Sequence, residues 1–184
     1  MRLALHLHPD SPRPAVRRIE AEVTRPGPGR LGLRYMVTGA LGDVALPSSA
    51  APDRTDGLWR RTCFEAFLRA PGSETYCEFN FAPSTQWAAY RFDGYRRGMA
   101  PAEGVAPPRI GLRRTADGFE LEVALALDRT CGLPPDGALR LGLSAVIEAP
   151  DGSVSLWALA HPSGKADFHH ADSFALDLPG MQPS

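Results

Sequence analysis

Residues 58–95, LWRRTCFEAFLRAPGSETYCEFNFAPSTQWAAYRFDGY, constrain the fold more than any other stretch. They read as three consecutive antiparallel strands joined by two short turns. With the first turn at residues 71–74, Leu68 faces Cys77. Phe64, Ala66 and Leu68 then share a face with Cys77, Phe79 and Phe81. The opposite face carries Cys63, Glu65 and Phe67 beside Tyr76, Glu78 and Asn80. A one-residue slip would mix the two sets, which a sheet with a buried face resists. With the second turn at residues 82–85, Asn80 faces Trp87. Ala88, Tyr90 and Phe92 then join the apolar face, and Trp87, Ala89 and Arg91 the polar one. In this register Glu65, Glu78, Asn80, Arg91, Tyr76 and Trp87 gather on one face, with opposed Cβ atoms about 5 Å apart. Two carboxylates, an amide, a guanidinium and an indole at that spacing have the composition of a binding surface.

The rest of the chain extends the strand pattern. Leu3, Leu5 and Leu7 alternate with His6 and His8; Ile19, Ala21 and Val23 alternate with Arg18, Glu20 and Glu22; residues 31–37 form a further strand. Asp117-Gly118 and Asp151-Gly152 each sit between alternating runs, a strong hairpin signal. Phe119, Leu121, Val123, Leu125 and Leu127 mark one core stripe, and Leu139, Leu141, Leu143, Ala145 and Ile147 a second. Residues 173–178 close the series. Residues 44–52 and 96–108 read as long loops. Only residues 128–132 suggest a helical turn, with Asp128 as its cap. Many short strands with Gly/Pro turns predict an all-β chain, an antiparallel β-sandwich. A length of 184 residues suits one domain. It is expected over residues 1–178, with residues 179–184 a fraying tail.

Net charge is −1, which provides no electrostatic footprint for nucleic acid or an anionic membrane. No apolar run reaches the roughly 20 residues of a membrane helix, and the N-terminal segment lacks the pattern of a secretory signal. The expected location is the cytoplasm. Three cysteines without metal spacing suit reduced thiols there, and the register sets Cys63 and Cys77 on opposite faces.

The meander motifs carry a resemblance. Leu58-Trp59, Cys63-Phe64-Glu65, Glu78-Phe79-Asn80-Phe81-Ala82-Pro83-Ser84 and Trp87-Ala88-Ala89-Tyr90-Arg91-Phe92 resemble the DOMON-like superfamily. So do Ala160-His161-Pro162 and Ala166-Asp167-Phe168-His169 through Asp172 and Phe174. The superfamily includes family 9 carbohydrate-binding modules and haem-binding cytochrome domains; the match is best to stand-alone bacterial DOMON-like proteins. The resemblance implies an immunoglobulin-like or jelly-roll sandwich that binds a small ligand, by fold-level analogy a sugar. No cofactor is expected. Glu65, Asn80, Trp87 and Arg91 match the hydrogen-bonding and stacking roles. Glu78, Tyr76 and Trp59, a second stacking platform, complete the candidate site.

Other constellations compete. Glu65 and Glu78 have the composition of a glycosidase pair, but carboxylates beside Arg91 are expected to stay ionised, which suits binding. A haem would need axial ligands such as Met36 or Met99 with His161 or His169. His169 and His170, with Asp167 or Asp172, lack metal spacing because neighbours on a strand diverge. Arg60-Arg61, Arg96-Arg97 and Arg113-Arg114 are short basic pairs at loop ends. The last alternative is a protein-interaction domain that uses the polar meander face.

Overall fold

The computed structural model describes residues 2–12, 14–127 and 132–181. The strands are β1 (Arg2–Leu7), β2 (Arg18–Thr24), β3 (Arg30–Thr38), β4 (Cys63–Arg69), β5 (Tyr76–Phe81), β6 (Trp87–Phe92), β7 (Ala100–Pro101), β8 (Arg109–Thr115), β9 (Gly118–Ala126), β10 (Leu139–Glu148), β11 (Val154–Ala158) and β12 (Leu176–Leu178). Every pairing between them is antiparallel. One layer is ordered β1-β2-β3-β9-β8 and the other β7-β6-β5-β4-β10-β11, with β12 also on β10. Strand β1 belongs to both: Arg2–Leu5 pair with β2, while His6 and Leu7 pair with β11. The antiparallel β-sandwich expected from the alternation is the observed fold. The helical turn expected at residues 128–132 falls mainly on residues outside those described.

The alternating stripes meet between the layers. Ile19, Ala21, Leu31, Leu33 and Tyr35 from one layer pack with Phe64, Ala66, Leu68, Phe79, Leu141 and Leu143 from the other. Phe64 touches Tyr35 at 5.0 Å and Phe119 at 6.0 Å between ring centroids. The Tyr35 hydroxyl, at 0% exposure, donates to the Glu65 carbonyl at 2.7 Å, so the aromatic handle of the core is satisfied. Cys77, on this inner face, is disulfide-bonded, against the expectation of reduced thiols; Cys63, on the other face, is a free thiol.

Gly118 shows how tightly β9 lies on β3. It opens β9 opposite Thr38, and a Cβ there would stand 1.9 Å from the Val37 carbonyl oxygen. Backbone must move to admit any side chain. Gly118→Ala is expected to cost about 3 kcal/mol, measured by urea unfolding; a loss under about 0.5 kcal/mol would show that the strands separate freely. Pro179 and Met181 are hydrogen-bonded to the body of the sandwich. Arg25 Nη1 donates to the Pro179 carbonyl at 2.9 Å, and Met181 N to the Asp136 carbonyl at 2.8 Å.

Both faces of the second layer are covered around β4–β6. Every residue of β5 is buried, as is all of β4 except Arg69. The outer face holds its own cluster of Phe67, Tyr76, Ala88, Tyr90, Phe92 and Phe174, packed by Leu58, Trp59 and Phe168. This face was expected to be a polar surface; it is an aromatic and polar layer beneath two loop segments.

Candidate functional site

The first hairpin has the expected register, with Glu65 opposite Asn80, Phe67 opposite Glu78 and Leu68 opposite Cys77. The second is one residue out. Phe81 pairs with Trp87 and Asn80 with Ala88. The turn spans residues 82–86, closed by Thr85 N to the Ala82 carbonyl at 3.0 Å and Ala82 N to the Gln86 carbonyl at 2.9 Å. Thr85 takes the left-handed conformation, φ 81°, and supplies the extra residue. The slip exchanges the two faces of β6.

Trp87 therefore points into the sandwich core at 4% exposure. Its indole donates to the Pro52 carbonyl at 3.2 Å, and Arg54 Cζ lies 5.3 Å over the ring. Arg91 is exposed and pairs with Asp93 at 3.1 Å, away from both glutamates. Neither residue joins the site expected of it. Tyr90 and Phe92 take their place. Phe92 stacks on Tyr76 with centroids 4.7 Å apart and planes 4° from parallel.

The structure does bring together Glu65, Glu78, Asn80, Tyr76 and Trp59. Glu65 and Glu78 line a pocket of about 380 Å³ with Trp59, Phe92, Arg96, Met99, Phe168 and His169, closed on the β10–β11 side by Val146 and Leu156. Trp59 sits on a one-turn helix, Leu58–Arg60, that follows Gly57 in the left-handed conformation, φ 78°. It packs edge-on to Tyr90 at 5.8 Å, and Tyr90 OH donates to Asp56 Oδ1 at 2.7 Å. The indole is half-buried and borders the opening.

Two separate hydrogen-bonded groups hold the floor. Ser144 Oγ, opposite Glu65 on β10, donates to Glu65 Oε2 at 3.0 Å. Asn80 Nδ2 donates to Glu78 Oε1 at 2.7 Å, and the Cys63 thiol donates to Asn80 Oδ1 at 3.7 Å. These bonds fix the amide orientation. Burial, and then the Glu78 charge, push the Glu65 carboxyl up to about 8 from 4.5. Burial also raises Glu78, against the opposing effects of the Asn80 hydrogen bond and Arg96. The carboxylates were expected to stay ionised beside Arg91. They do not have that partner, and desolvation decides their protonation.

His169 also lines the pocket. Tyr76 OH accepts from Arg96 N at 3.3 Å and is hydrogen-bonded to His169 Nδ1 at 2.8 Å. His169 Nε2 lies 3.7 Å from Glu78 Oε2. Burial, and then the Arg96 charge, hold His169 down at about 4. The ring is wedged between Phe67 and Phe92, each 5.1 Å away. Arg96 is tied to Asp167 Oδ1 at 2.7 Å, and Tyr95 OH donates to Asp167 Oδ2.

His169, Arg96, Ser144 and Phe168 were missing from the ligand site read in the sequence. Only the run Ala166–His169 and the pair Arg96-Arg97 drew attention there. Their approach to β4 and β5 is non-local and has no periodic signature. Of the axial haem candidates, Met99 and His169 share the pocket, with His169 Nδ1 hydrogen-bonded to Tyr76 OH. Met36 lies on β3 in the other layer. His161 Nε2 donates to the His6 carbonyl at 2.8 Å. Among the described residues no group of three or more His, Cys, Asp or Glu is placed to hold a metal.

No protein-family model and no curated protein matches the chain. Two solved structures share the fold. One is a Bacteroides uniformis protein to which carbohydrate binding is ascribed, with TM-score 0.67 and 13% identity over 94% of this chain and 83% of that one. The other is a family 9 carbohydrate-binding module from Caldicellulosiruptor kristjanssonii in complex with glucose, with TM-score 0.52 and 11% identity over 91% of this chain and 78% of that one.

Proposed function

We propose that this protein is a non-catalytic carbohydrate-binding module whose ligand enters the pocket between Trp59 and the Glu65–Glu78 floor. The observation that carries this reading is the combination of a half-buried indole, two carboxyls and a neutral imidazole lining one pocket. A sugar ring presents a C–H face to stack on an indole and hydroxyls that need acceptors and donors at the edge. Trp59 offers the first; Glu65, Glu78 and His169 offer the second, while Asn80 and Tyr76 hold them in place. A volume of about 380 Å³ lies near the low end of small-ligand sites, about 300–1,000 Å³, and suits a single ring. The glucose complex of the family 9 module with this fold supports the same ligand class. The DOMON-like kinship suggested by the sequence motifs belongs to this proposal.

Two alternatives fit less well. Glu65 and Glu78 resemble a hydrolase pair in that one carboxyl stays protonated near neutrality. However, they are diagonal neighbours on adjacent strands and stand on one wall, not on opposite sides of a bound glycosidic bond. A protein-contact surface on the meander face is disfavoured because that face lies under Trp59, Phe168 and Phe174.

Thermal melting against monosaccharides and disaccharides tests the proposal. A ligand that binds only the folded state adds about 2.7 kcal/mol at a hundredfold excess over Kd. For a domain of this size that is a rise in Tm of about 5–10 °C. Asn80→Ala, which frees Glu78 from its orienting amide, should lower the affinity at least about tenfold. No shift with any sugar at saturating concentration would remove the carbohydrate reading.

A further inference from the structure

The floor of the pocket carries two acceptors that the protein leaves open. Glu65 is 3% exposed; its Oε2 is held by Ser144, and among the described residues its Oε1 has no hydrogen-bond donor. Glu78 uses Oε1 for Asn80, and its Oε2 has only His169 Nε2 at 3.7 Å, beyond hydrogen-bond length. Buried carboxyl oxygens facing a cavity without donors are costly unless something completes them.

The surrounding charges do not balance this floor. From the segment that covers the sheet come Asp167 and His169. Arg96 lines the pocket and its charge acts on Glu78, but it is paired with Asp167 at 2.7 Å, and His169 is uncharged near neutrality. From the strands come the Cys63 thiol, Tyr76, Asn80, Tyr90 and Ser144, all neutral, and Tyr35 reaches the Glu65 carbonyl from the opposite face. Asp56 beside Tyr90 is a further carboxylate. Arg91, the cation expected there, is turned away to Asp93. What remains is an acidic floor with aromatic walls of Trp59, Phe92 and Phe168.

We propose that the ligand is a pyranose bearing a protonated amine, its ring on Trp59 and its ammonium between the open oxygens of Glu65 and Glu78. This rests on the reading of the pocket as a sugar site and names the substrate class. A hydroxyl has one proton to donate and can complete only one of the two carboxyls. An ammonium has three and no lone pair to satisfy. Its charge is worth more in a desolvated site than in water, and aromatic faces add to its attraction. Without ligand, Glu65 holds a proton at pH 7. Arrival of the ammonium favours the ionised pair, so that proton leaves to solvent.

Isothermal titration at pH 7 with glucosamine, glucose and N-acetylglucosamine separates charge from shape. Glucosamine is expected to bind about tenfold or more tightly than either neutral sugar, about 1.4 kcal/mol or more. Repeating the titration in two buffers of different ionisation heat should show net proton release. Glu65→Gln and Glu78→Gln, which retain shape and hydrogen-bonding groups, should each bring the glucosamine-to-glucose ratio within about threefold while melting cooperatively. Glucose binding as tightly as glucosamine in the wild type would overturn the amine preference and leave the sugar site standing. Binding of no sugar at all would overturn both. Undiminished glucosamine preference in both variants would place the ammonium elsewhere and likewise overturn the inference.

Discussion

Trp87→Ala should destabilise the protein by about 3–5 kcal/mol and lower its Tm by about 6–20 °C. Trp59→Ala should leave Tm within a few degrees of wild type and abolish sugar binding. The two indoles have opposite roles. Trp87 lies in the core at 4% exposure, gives its N–H to the Pro52 carbonyl and lies beneath Arg54. Its removal leaves a cavity, an unpaired carbonyl and an uncovered guanidinium. Trp59 is half-buried on the pocket wall, on a one-turn helix, edge-on to Tyr90 and with Arg60 Cζ 5.9 Å over its ring. Its removal costs little packing and takes away the surface on which a sugar ring would rest. Thermal melting and titration of the two variants read both effects. A Trp87→Ala protein that melts like wild type yet no longer binds sugar would restore the exposed platform that the sequence register predicts.

The pH dependence of stability should change as strongly on Glu65→Gln. The Glu65 carboxyl is pushed from 4.5 up to about 8 by burial and then by Glu78. A carboxyl raised in the folded state contributes stability that is fully present below its unfolded value and lost as pH rises through the folded one. His169 runs the other way. Burial and Arg96 hold it at about 4 from 6.5, so its contribution is present above 6.5 and lost as pH falls through 4. His161, also lowered by burial, acts in the same direction below 6.5. Over pH 4.5–6.5 the Glu65 and His169 slopes oppose each other. From 6.5 to 8 the glutamates act alone. At about 1.4 kcal/mol per unit, Glu65 removes about 2 kcal/mol of stability across that interval, and Glu78, raised in the same direction, adds to it. Urea unfolding of the wild type should show this decline, and Glu65→Gln should reduce it to the contribution of Glu78. An equally steep decline in the variant would mean that Glu65 is ionised in the folded protein near neutrality.

The sandwich was legible in the sequence because most strands bury one face. Phe119 through Leu127 and Leu139 through Ile147 alternate cleanly, and the observed strands bury those residues. The first hairpin was legible for a stronger reason. Phe64, Ala66 and Leu68 against Glu65 and Phe67 leave one register that keeps carboxylates out of the core. The second hairpin offers no such arbitration. Trp87, Ala88, Ala89, Tyr90 and Phe92 are all buried, so a period of two does not say which set faces the core. The choice rests on whether the turn is four residues long or five, and the left-handed conformation of Thr85 that makes it five has no sequence signal such as glycine. The slip moved Trp87 and Arg91 out of the expected site.

The pocket was only half legible. Its floor, Glu65, Glu78 and Asn80, follows from alternation within one meander. Its cover does not. His169 reaches Tyr76 across 93 residues and Ser144 reaches Glu65 across 79, contacts that depend on the whole sandwich closing. One clue was available: Phe67 and Tyr76 share the face of the glutamates, and large rings on a supposedly open polar face call for something to lie over them.

The three indole N–H resonances offer the most direct test that the Trp59 pocket is the ligand site. Trp59 borders the pocket, while Trp87 donates to the Pro52 carbonyl and Trp157 to Ser155 Oγ at 3.1 Å. In a 15N-edited spectrum titrated with glucosamine and glucose, a saturable shift of the Trp59 indole alone is expected, with the other two unmoved. A shift of Trp87 or Trp157 with Trp59 unmoved would contradict it, and so would three resonances that stay in place at saturating sugar.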